Sequence, residues 1–178
     1  MVRYTGPEIL LQKQFRPPLG KVVIEVPAGL VEACESAEQA AVRELKEETG
    51  YVSTVAETGP VLFNGLYMPP SLPPYPYTVK PAPLLYCSTD PGFCNTNQRM
   101  VHVYIDGSHP SNQLSALRPE LEDNEFIEVF TLPLASLREE CRKLESQGYA
   151  IDAIIGSLAE GLEISRLFRG NKSDVGVK

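Results

Sequence analysis

A proline-rich segment is the strongest constraint on how this chain can fold. Seven prolines lie between Pro69 and Pro83, inside the segment 65–89, GLYMPPSLPPYPYTVKPAPLLYCST. Because proline has no backbone N–H and a fixed φ, neither a helix nor a central strand can run through this segment. The sequence therefore predicts a proline-rich insertion or a long surface loop here. A PxxP ligand at Pro69–Pro74 is the functional alternative.

Hydrophobic periodicity predicts the regular elements on both sides of that segment. Alternating or continuous apolar runs indicate strands, and apolar residues three to four positions apart indicate helices. The predicted strands are 8–15, 21–26, 98–106 and 125–132, and the predicted helices are 36–49, 134–148 and 151–168. Strands interspersed with helices are typical of an α/β or α+β fold with layered packing.

Composition limits the class of protein. The chain has 178 residues, of which 43% are hydrophobic and 22% charged, as expected for one domain, 1–178, with a buried core. A net charge of −7 and an isoelectric point near 4.9 argue against general nucleic-acid or membrane-surface binding. The sequence contains no apolar run of membrane length and no signal-peptide core near its first residues. We therefore expect a cytoplasmic or nuclear location.

The cysteines carry no recognisable metal or redox pattern. None of the four forms a CxxC pair or has a histidine at zinc-site spacing; they are Cys34, Cys87, Cys94 and Cys141. We interpret them as free thiols in a reducing compartment rather than as a disulfide framework.

The predicted helix 36–49 carries three clustered glutamates. Ser36 is a suitable N-cap with Gln39 three residues later, and Gly50 is suited to the C-terminal cap. At 100° per residue, all three glutamates lie on one face; they are Glu44, Glu47 and Glu48. Like charges at this spacing repel, so a cation at this face would be stabilising. A solvated helix face is the alternative interpretation.

The wider spacing around this helix resembles the Nudix box in full. The matching positions are Gly29, Glu35, Arg43, Glu44, Glu47, Glu48 and Gly50, with an apolar residue after Glu44. Tyr51 departs from the pattern, which more often has an aliphatic residue there. The resemblance implies a hydrolase that cleaves a diphosphate linked to another moiety.

Clustered carboxylates suit a hard divalent cation, Mg²⁺ with Mn²⁺ as the alternative. By resemblance, Glu44 and Glu48 would be the principal metal ligands and Glu47 would support them. The Ala28 carbonyl would add a ligand, and Gly29 would allow the sharp loop that brings this backbone close. The resemblance also implies that Arg43 orients the carboxylates and belongs, with the glutamates at 47 and 48, to the catalytic residues.

Flanking segments resemble one branch, the ADP-ribose pyrophosphatases. The similar segments are 14–32, 40–51, 90–97 and 122–133. This resemblance implies an α/β/α sandwich around a mixed β-sheet. It also implies hydrolysis of ADP-ribose, a small nucleotide-sugar substrate, to AMP and ribose 5-phosphate by a homodimer.

The branch resemblance also implies roles for residues outside the box. Arg16 would bind a substrate phosphate and Glu25 the terminal ribose, while Asp90 and Gly92 would shape the substrate loop. Glu125 would be the carboxylate that activates the attacking water. The alternative for Arg16 is an ordinary surface arginine, and for Glu25 a strand-end carboxylate on the surface. For Asp90 and Gly92 it is an ordinary turn. Several other acidic residues compete with Glu125 for its role; they are Glu120, Glu122, Asp123 and Glu128. His102 and His109 are interpreted as structural.

Two departures from the branch leave alternatives open. First, thirteen residues precede the QFRPP motif and the chain has no tryptophan; second, the proline-rich segment 65–89 separates PVLFN from DPGFCN, where the branch runs almost directly on. We therefore expect a truncated N-terminal sheet, poor solubility, and an adenine clamp built from Tyr or Phe or absent. The alternatives are a Nudix hydrolase of another nucleoside diphosphate-linked substrate and a catalytically weak ADP-ribose-binding protein. Mg²⁺-dependent release of AMP separates an enzyme from a binder.

Overall fold

A computed structural model describes residues 6–63, 97–123 and 125–170 of the chain. The strands are β1 (Glu8–Arg16), β2 (Lys21–Glu25), β3 (Thr54–Phe63), β4 (Asn97–Tyr104), β5 (Ile127–Pro133) and β6 (Ala150–Ile151). The helices are α1 (Ala37–Thr49), α2 (Leu137–Ser146) and α3 (Ala153–Gly170), with 3₁₀ turns at Pro17–Leu19, Pro110–Asn112 and Leu134–Ser136. The proline-rich segment 65–89 lies outside the described residues, so its interpretation stays a prediction.

The chain divides into two units. The first unit comprises Met1–Ala28, Glu47–Thr49 and Pro119–Lys178, and the second comprises Gly29–Lys46 and Gly50–Arg118. Helix α1 contributes residues to both. That the whole chain behaves as a single domain stays a prediction.

The first unit contains a four-stranded mixed sheet in the order β5-β1-β2-β6. Strand β1 pairs antiparallel with both β2 and β5, with Gln12 opposite Glu25 on one side and Val129 on the other. Strand β2 pairs in parallel with the short β6. This mixed sheet with flanking helices confirms the predicted α/β class.

The core of the first unit lies between this sheet and helices α2 and α3. Six buried residues form it: Leu11, Ile24, Leu137, Cys141, Ile155 and Ala159. Each fully buried leucine or isoleucine side chain contributes about 1.5–3 kcal/mol. The core fixes one face of β1 and β2 and thereby sets which side chains point to the other face.

The second unit contains a two-stranded antiparallel sheet of β3 and β4. Its register shifts between Thr58 and Val61, and Pro60 lies at this irregularity because proline has no N–H for a regular ladder. The Gly59-Pro60 pair is also why the sequence pattern did not predict β3. Asn112 lies in the loop after β4. Its buried side-chain amide holds this loop to the residues before β3 through hydrogen bonds with the Val52 backbone, and it also donates to the Asp106 carbonyl.

The predicted elements agree with the described structure to within a few residues at their ends. Helix α2 is preceded by a 3₁₀ turn, and its C-terminal region ends at Gly148, which has a φ of 97°. The two-residue β6 was not predicted, because strands this short carry little periodicity. Cys34 and Cys141 are free thiols; the other two cysteines lie outside the described residues. None of the helices in the described ranges is long and apolar enough to span a bilayer.

Candidate active site

Helix α1 is fixed at both ends by residues close to it in sequence. The Gln39 N–H donates to Ser36 Oγ at 3.2 Å, and the Ser36 N–H donates to Gln39 Oε1 at 2.8 Å, which completes a capping box. At the other end Gly50 has a φ of 76° and donates its N–H to the Lys46 carbonyl at 2.7 Å. The predicted caps are confirmed, and they determine where the helix that carries the three glutamates begins and ends.

Arg43 joins helix α1 to the loop that precedes it within the second unit. Its Nε and Nη2 donate to the two carboxylate oxygens of Glu35, both at 2.9 Å, and Nη2 also donates to the Leu30 carbonyl at 3.0 Å. Its Nη1 donates to Glu44 Oε1 at 2.9 Å. These Arg43 hydrogen bonds, and a further one from the Glu32 N–H, hold the pKa of Glu35 below its usual range. Arg43 therefore fixes the Glu35 and Glu44 carboxylates beside the loop, and its role in catalysis stays a prediction.

Gly29 makes room for the Glu44 carboxylate. A Cβ added at Gly29 would collide with the carboxyl carbon and both oxygens of Glu44. Only glycine leaves this space, so the spacing from Gly29 to Glu44 reflects a close approach between loop backbone and carboxylate.

Glu48 is held differently, within the first unit. The residue is only 4% exposed. Its Oε2 accepts a hydrogen bond from the Ala28 N–H at 3.1 Å, and its Oε1 accepts one from Gln12 Nε2 at 3.3 Å. The sequence predicted the Ala28 carbonyl as a metal ligand; the described contact of Ala28 is made by its N–H, and it orients Glu48.

Arg16 and Glu25 form an ion pair across strands β1 and β2. Arg16 Nη2 lies 2.6 Å from Glu25 Oε1, and Arg16 Nε donates to Glu25 Oε2 at 3.2 Å. The arginine side chain is 44% exposed and the glutamate side chain 12%. The two residues assigned to phosphate and ribose are thus brought together, and we call them the substrate pair.

The loop that carries Glu125 is tied to the end of helix α1 within the first unit. The Glu120 N–H donates to the Glu47 carbonyl at 2.7 Å. Further along, Glu125 Oε2 accepts from the Glu122 N–H at 3.0 Å, and the Glu125 N–H donates to the Glu122 carbonyl at 3.0 Å. The Glu125 carboxylate therefore closes a turn in this conformation.

The remaining predicted site residues contribute less to this picture. Asp90 and Gly92 lie outside the described residues, and their roles stay predictions. His102 is exposed on β4. His109 Nδ1 accepts from the Ser111 N–H at 3.2 Å, which is a local turn contact in keeping with a structural role.

Comparison with known proteins identifies the family. A family model described as the NUDIX domain matches residues 1–151. This chain belongs to the Nudix family. An uncharacterized Nudix hydrolase of Schizosaccharomyces pombe is 43% identical over 157 residues, covering 88% of this chain and 63% of that protein.

Two further Nudix relatives carry substrate names. The ADP-ribose pyrophosphatase of Saccharomyces cerevisiae is 42% identical over 161 residues, covering 90% of this chain and 58% of that protein. The ADP-sugar pyrophosphatase of Mus musculus is 38% identical over 125 residues, covering 70% of this chain and 45% of that protein. The chain therefore spans less than two thirds of the length of these curated relatives.

Nudix hydrolases use divalent metal ions, and the donor chemistry of this Nudix chain fits such an ion. Carboxylate and carbonyl oxygens are hard ligands, and the space at Gly29 admits the Glu44 carboxylate next to the backbone. Across residues 6–63, 97–123 and 125–170, no three His, Cys, Asp or Glu side chains are grouped closely enough to hold an ion. Mg²⁺ commonly uses one or two protein carboxylates, with water and substrate phosphates completing its octahedron. A preformed group of three is therefore not required.

Sequence reasoning missed one residue of the Nudix site, Gln12. It is fully buried and contacts Glu48. The available signal was weak: Gln12 directly follows the apolar run of residues 9–11 near the centre of the predicted strand EILLQKQF.

Proposed function

We propose that this chain hydrolyses the diphosphate bond of ADP-ribose or a related ADP-sugar, releasing AMP and ribose 5-phosphate, with Mg²⁺ as the metal. The names of the yeast and mouse relatives support the substrate class. The complete box, which runs from Gly29 through helix α1 to Gly50, supports the reaction class. We further propose that the active form is a homodimer.

The observation that carries this proposal is the buried Glu48 carboxylate. Burial disfavours the charged form of a carboxylate unless donors or a cation stabilise it. Here a backbone N–H and a side-chain amide aim at its two oxygens. A carboxylate fixed in direction in this way suits a cation ligand better than a surface charge would.

The substrate pair supports binding of a sugar diphosphate. Arg16 presents a planar guanidinium that can bind phosphate oxygens through two parallel hydrogen bonds. Because its side chain is partly exposed, it can exchange its contact with Glu25 for a substrate phosphate. The Glu25 carboxylate would then accept hydrogen bonds from ribose hydroxyls. Asp90 and Gly92 are proposed to shape the loop on the substrate side.

The metal site is proposed to draw on Glu44, Glu47 and Glu48 with the Ala28 carbonyl, with one or two of these carboxylates binding the ion directly and water and substrate phosphates completing its shell. Mg²⁺ bound there would neutralise charge on the diphosphate and lower the pKa of a bound water. Arg43 keeps Glu44 in place through its Nη1, while its Nε and Nη2 anchor Glu35. Gly29 keeps the loop backbone clear of the Glu44 carboxylate.

Glu125 is proposed to accept the proton of the attacking water. Its carboxylate caps the Glu122 N–H in the described conformation, so it must leave this turn to reach a substrate. The contact from Glu120 to the Glu47 carbonyl limits how far the start of this loop can move. As the water adds to phosphorus, the P–O bond to the other phosphate breaks and that oxygen leaves as a phosphate monoester.

Release of AMP from ADP-ribose tests the proposal. We expect turnover by the wild-type protein with millimolar Mg²⁺, none with a chelator, and at least a ~100-fold loss in Glu48→Gln, beyond the usual effect of outer-shell changes. Glu145→Gln, an exposed glutamate on α2, is the matched control and should keep full activity.

The outcomes separate the alternatives. ADP-ribose binding by a folded protein without AMP release would contradict hydrolysis and favour a binding protein. Turnover of another nucleoside diphosphate derivative, but not of ADP-sugars, would contradict the substrate class. Size-exclusion chromatography with light scattering tests the dimer, and a monomer at assay concentration that is fully active would contradict it.

A further inference from the structure

Gln12 is a buried polar residue whose position the sheet alone does not explain. It lies in the middle of β1 and is 0% exposed. Its neighbour Leu11 belongs to the apolar core, so Gln12 points to the opposite face of the sheet. Burying an amide in a sheet is unfavourable unless its polar atoms are hydrogen-bonded.

The carboxylates around Gln12 determine which way its amide points. Its Nε2 lies 3.3 Å from Glu48 Oε1 and 3.5 Å from Glu25 Oε1. Ionised carboxylates only accept hydrogen bonds, so the amide nitrogen must face both of them. Its Oε1 is then turned away, and this buried atom has no hydrogen-bond partner among the residues the structure describes. An apolar residue would fit this position better if folding were its only role.

The Gln12 amide connects two groups of site residues. On one side, Glu25 is ion-paired with Arg16 in the substrate pair. On the other side, Glu48 also accepts the Ala28 N–H. The two hydrogens of one amide nitrogen are therefore available to a carboxylate of the substrate pair and to a carboxylate of the proposed metal site.

We propose that Gln12 is a positioning residue that sets the direction of the Glu48 carboxylate and couples it to the substrate pair. The inference rests on the proposed function. Removing an outer-shell donor to a ligand typically lowers metal affinity or activity by roughly 10–100-fold. Hydrogen bonds in a site without substrate are often long and shorten in the complex, which suits distances of 3.3 and 3.5 Å.

The test is Mn²⁺ binding to the protein without substrate, measured by electron paramagnetic resonance, in wild type and Gln12→Met. Methionine has nearly the same shape but no donor. We expect Gln12→Met to weaken Mn²⁺ binding roughly 10–100-fold and to raise the KM for ADP-ribose. Gln14→Met is the matched control for metal binding. Gln14 lies on the same strand and face, and its side chain makes no hydrogen bond within the described part of the chain.

Thermal unfolding and a second variant separate positioning from folding. If Gln12→Met does not fold, Gln12→Asn replaces it, because the shorter amide cannot reach both carboxylates and should weaken Mn²⁺ binding in the same direction. Mn²⁺ binding by a folded Gln12 variant as tight as that of the wild type would overturn the inference. Equal weakening in Gln14→Met would overturn it as well. If the wild type neither binds Mn²⁺ nor releases AMP, the proposed function itself fails.

Discussion

Glu44 and Glu48 lie one turn apart on helix α1, yet different kinds of donor hold them. Glu44 accepts from the charged guanidinium of Arg43, and its side chain is 18% exposed. Glu48 is 4% exposed, and its contacts include two neutral donors, the Ala28 N–H and the Gln12 amide. Salt screens the first kind of contact more than the second, because buried hydrogen bonds are less accessible to ions. The same residue type therefore serves two tasks, closing a loop at Glu44 and presenting a fixed carboxylate at Glu48.

Among the variants that test the Glu44 side of this comparison, the largest effect is expected where the Glu44 carboxylate is displaced without unfolding the protein. In Gly29→Ala, the new Cβ would displace the Glu44 carboxylate. Because the end of a glutamate side chain can move, we expect little change in melting temperature but a loss of turnover of roughly 10–100-fold. Gly161→Ala is the matched control, since a Cβ there meets nothing within 4 Å. Full activity in Gly29→Ala would show that the position of Glu44 is unimportant.

A smaller effect is expected when the Arg43 contacts are simplified. Lysine has no planar fork, so Arg43→Lys cannot reproduce both contacts with Glu35 and the one with the Leu30 carbonyl. We expect the free energy of unfolding, measured in urea, to fall by about 1 kcal/mol, with a smaller difference in high salt. Arg138→Lys, which changes the exposed ion pair with Glu160, should change it clearly less. Equal changes in both variants would contradict a special role for Arg43.

The smallest effect is expected in the pH dependence of stability. The Arg43 hydrogen bonds lower the pKa of Glu35 from its ordinary value of 4.5. A depressed pKa gives stability that is fully present above the unfolded-state pKa and is lost as pH falls through the folded-state value. The urea midpoint of the wild type should therefore exceed that of Glu35→Gln near neutral pH, and the difference should shrink below pH 4.5. A difference that stays constant down to acid unfolding would contradict the assignment.

Local signals in the sequence predicted most helices and strands and the helix that carries the clustered glutamates. Ser36, Gln39 and Gly50 act through residues at most four positions away, so spacing alone was informative. The contacts of Glu48 and Glu25 with Gln12 join strands and a helix that are distant in sequence. Such contacts depend on strand register, which a single sequence does not specify. For the same reason the pairing of Arg16 with Glu25 was not predicted, although each residue had been singled out.

The order in which partners appear along the chain has a consequence for folding. Both caps of helix α1 come from residues adjacent to the helix, and Gln12 and Ala28 precede Glu48. During synthesis, the helix, Gln12 and Ala28 are therefore complete before the Glu120 segment has been made. Contacts that close short loops form with the smallest entropy loss. We expect the carboxylate helix to be among the earliest parts of the chain to gain protection from hydrogen exchange, and the Glu125 loop among the last.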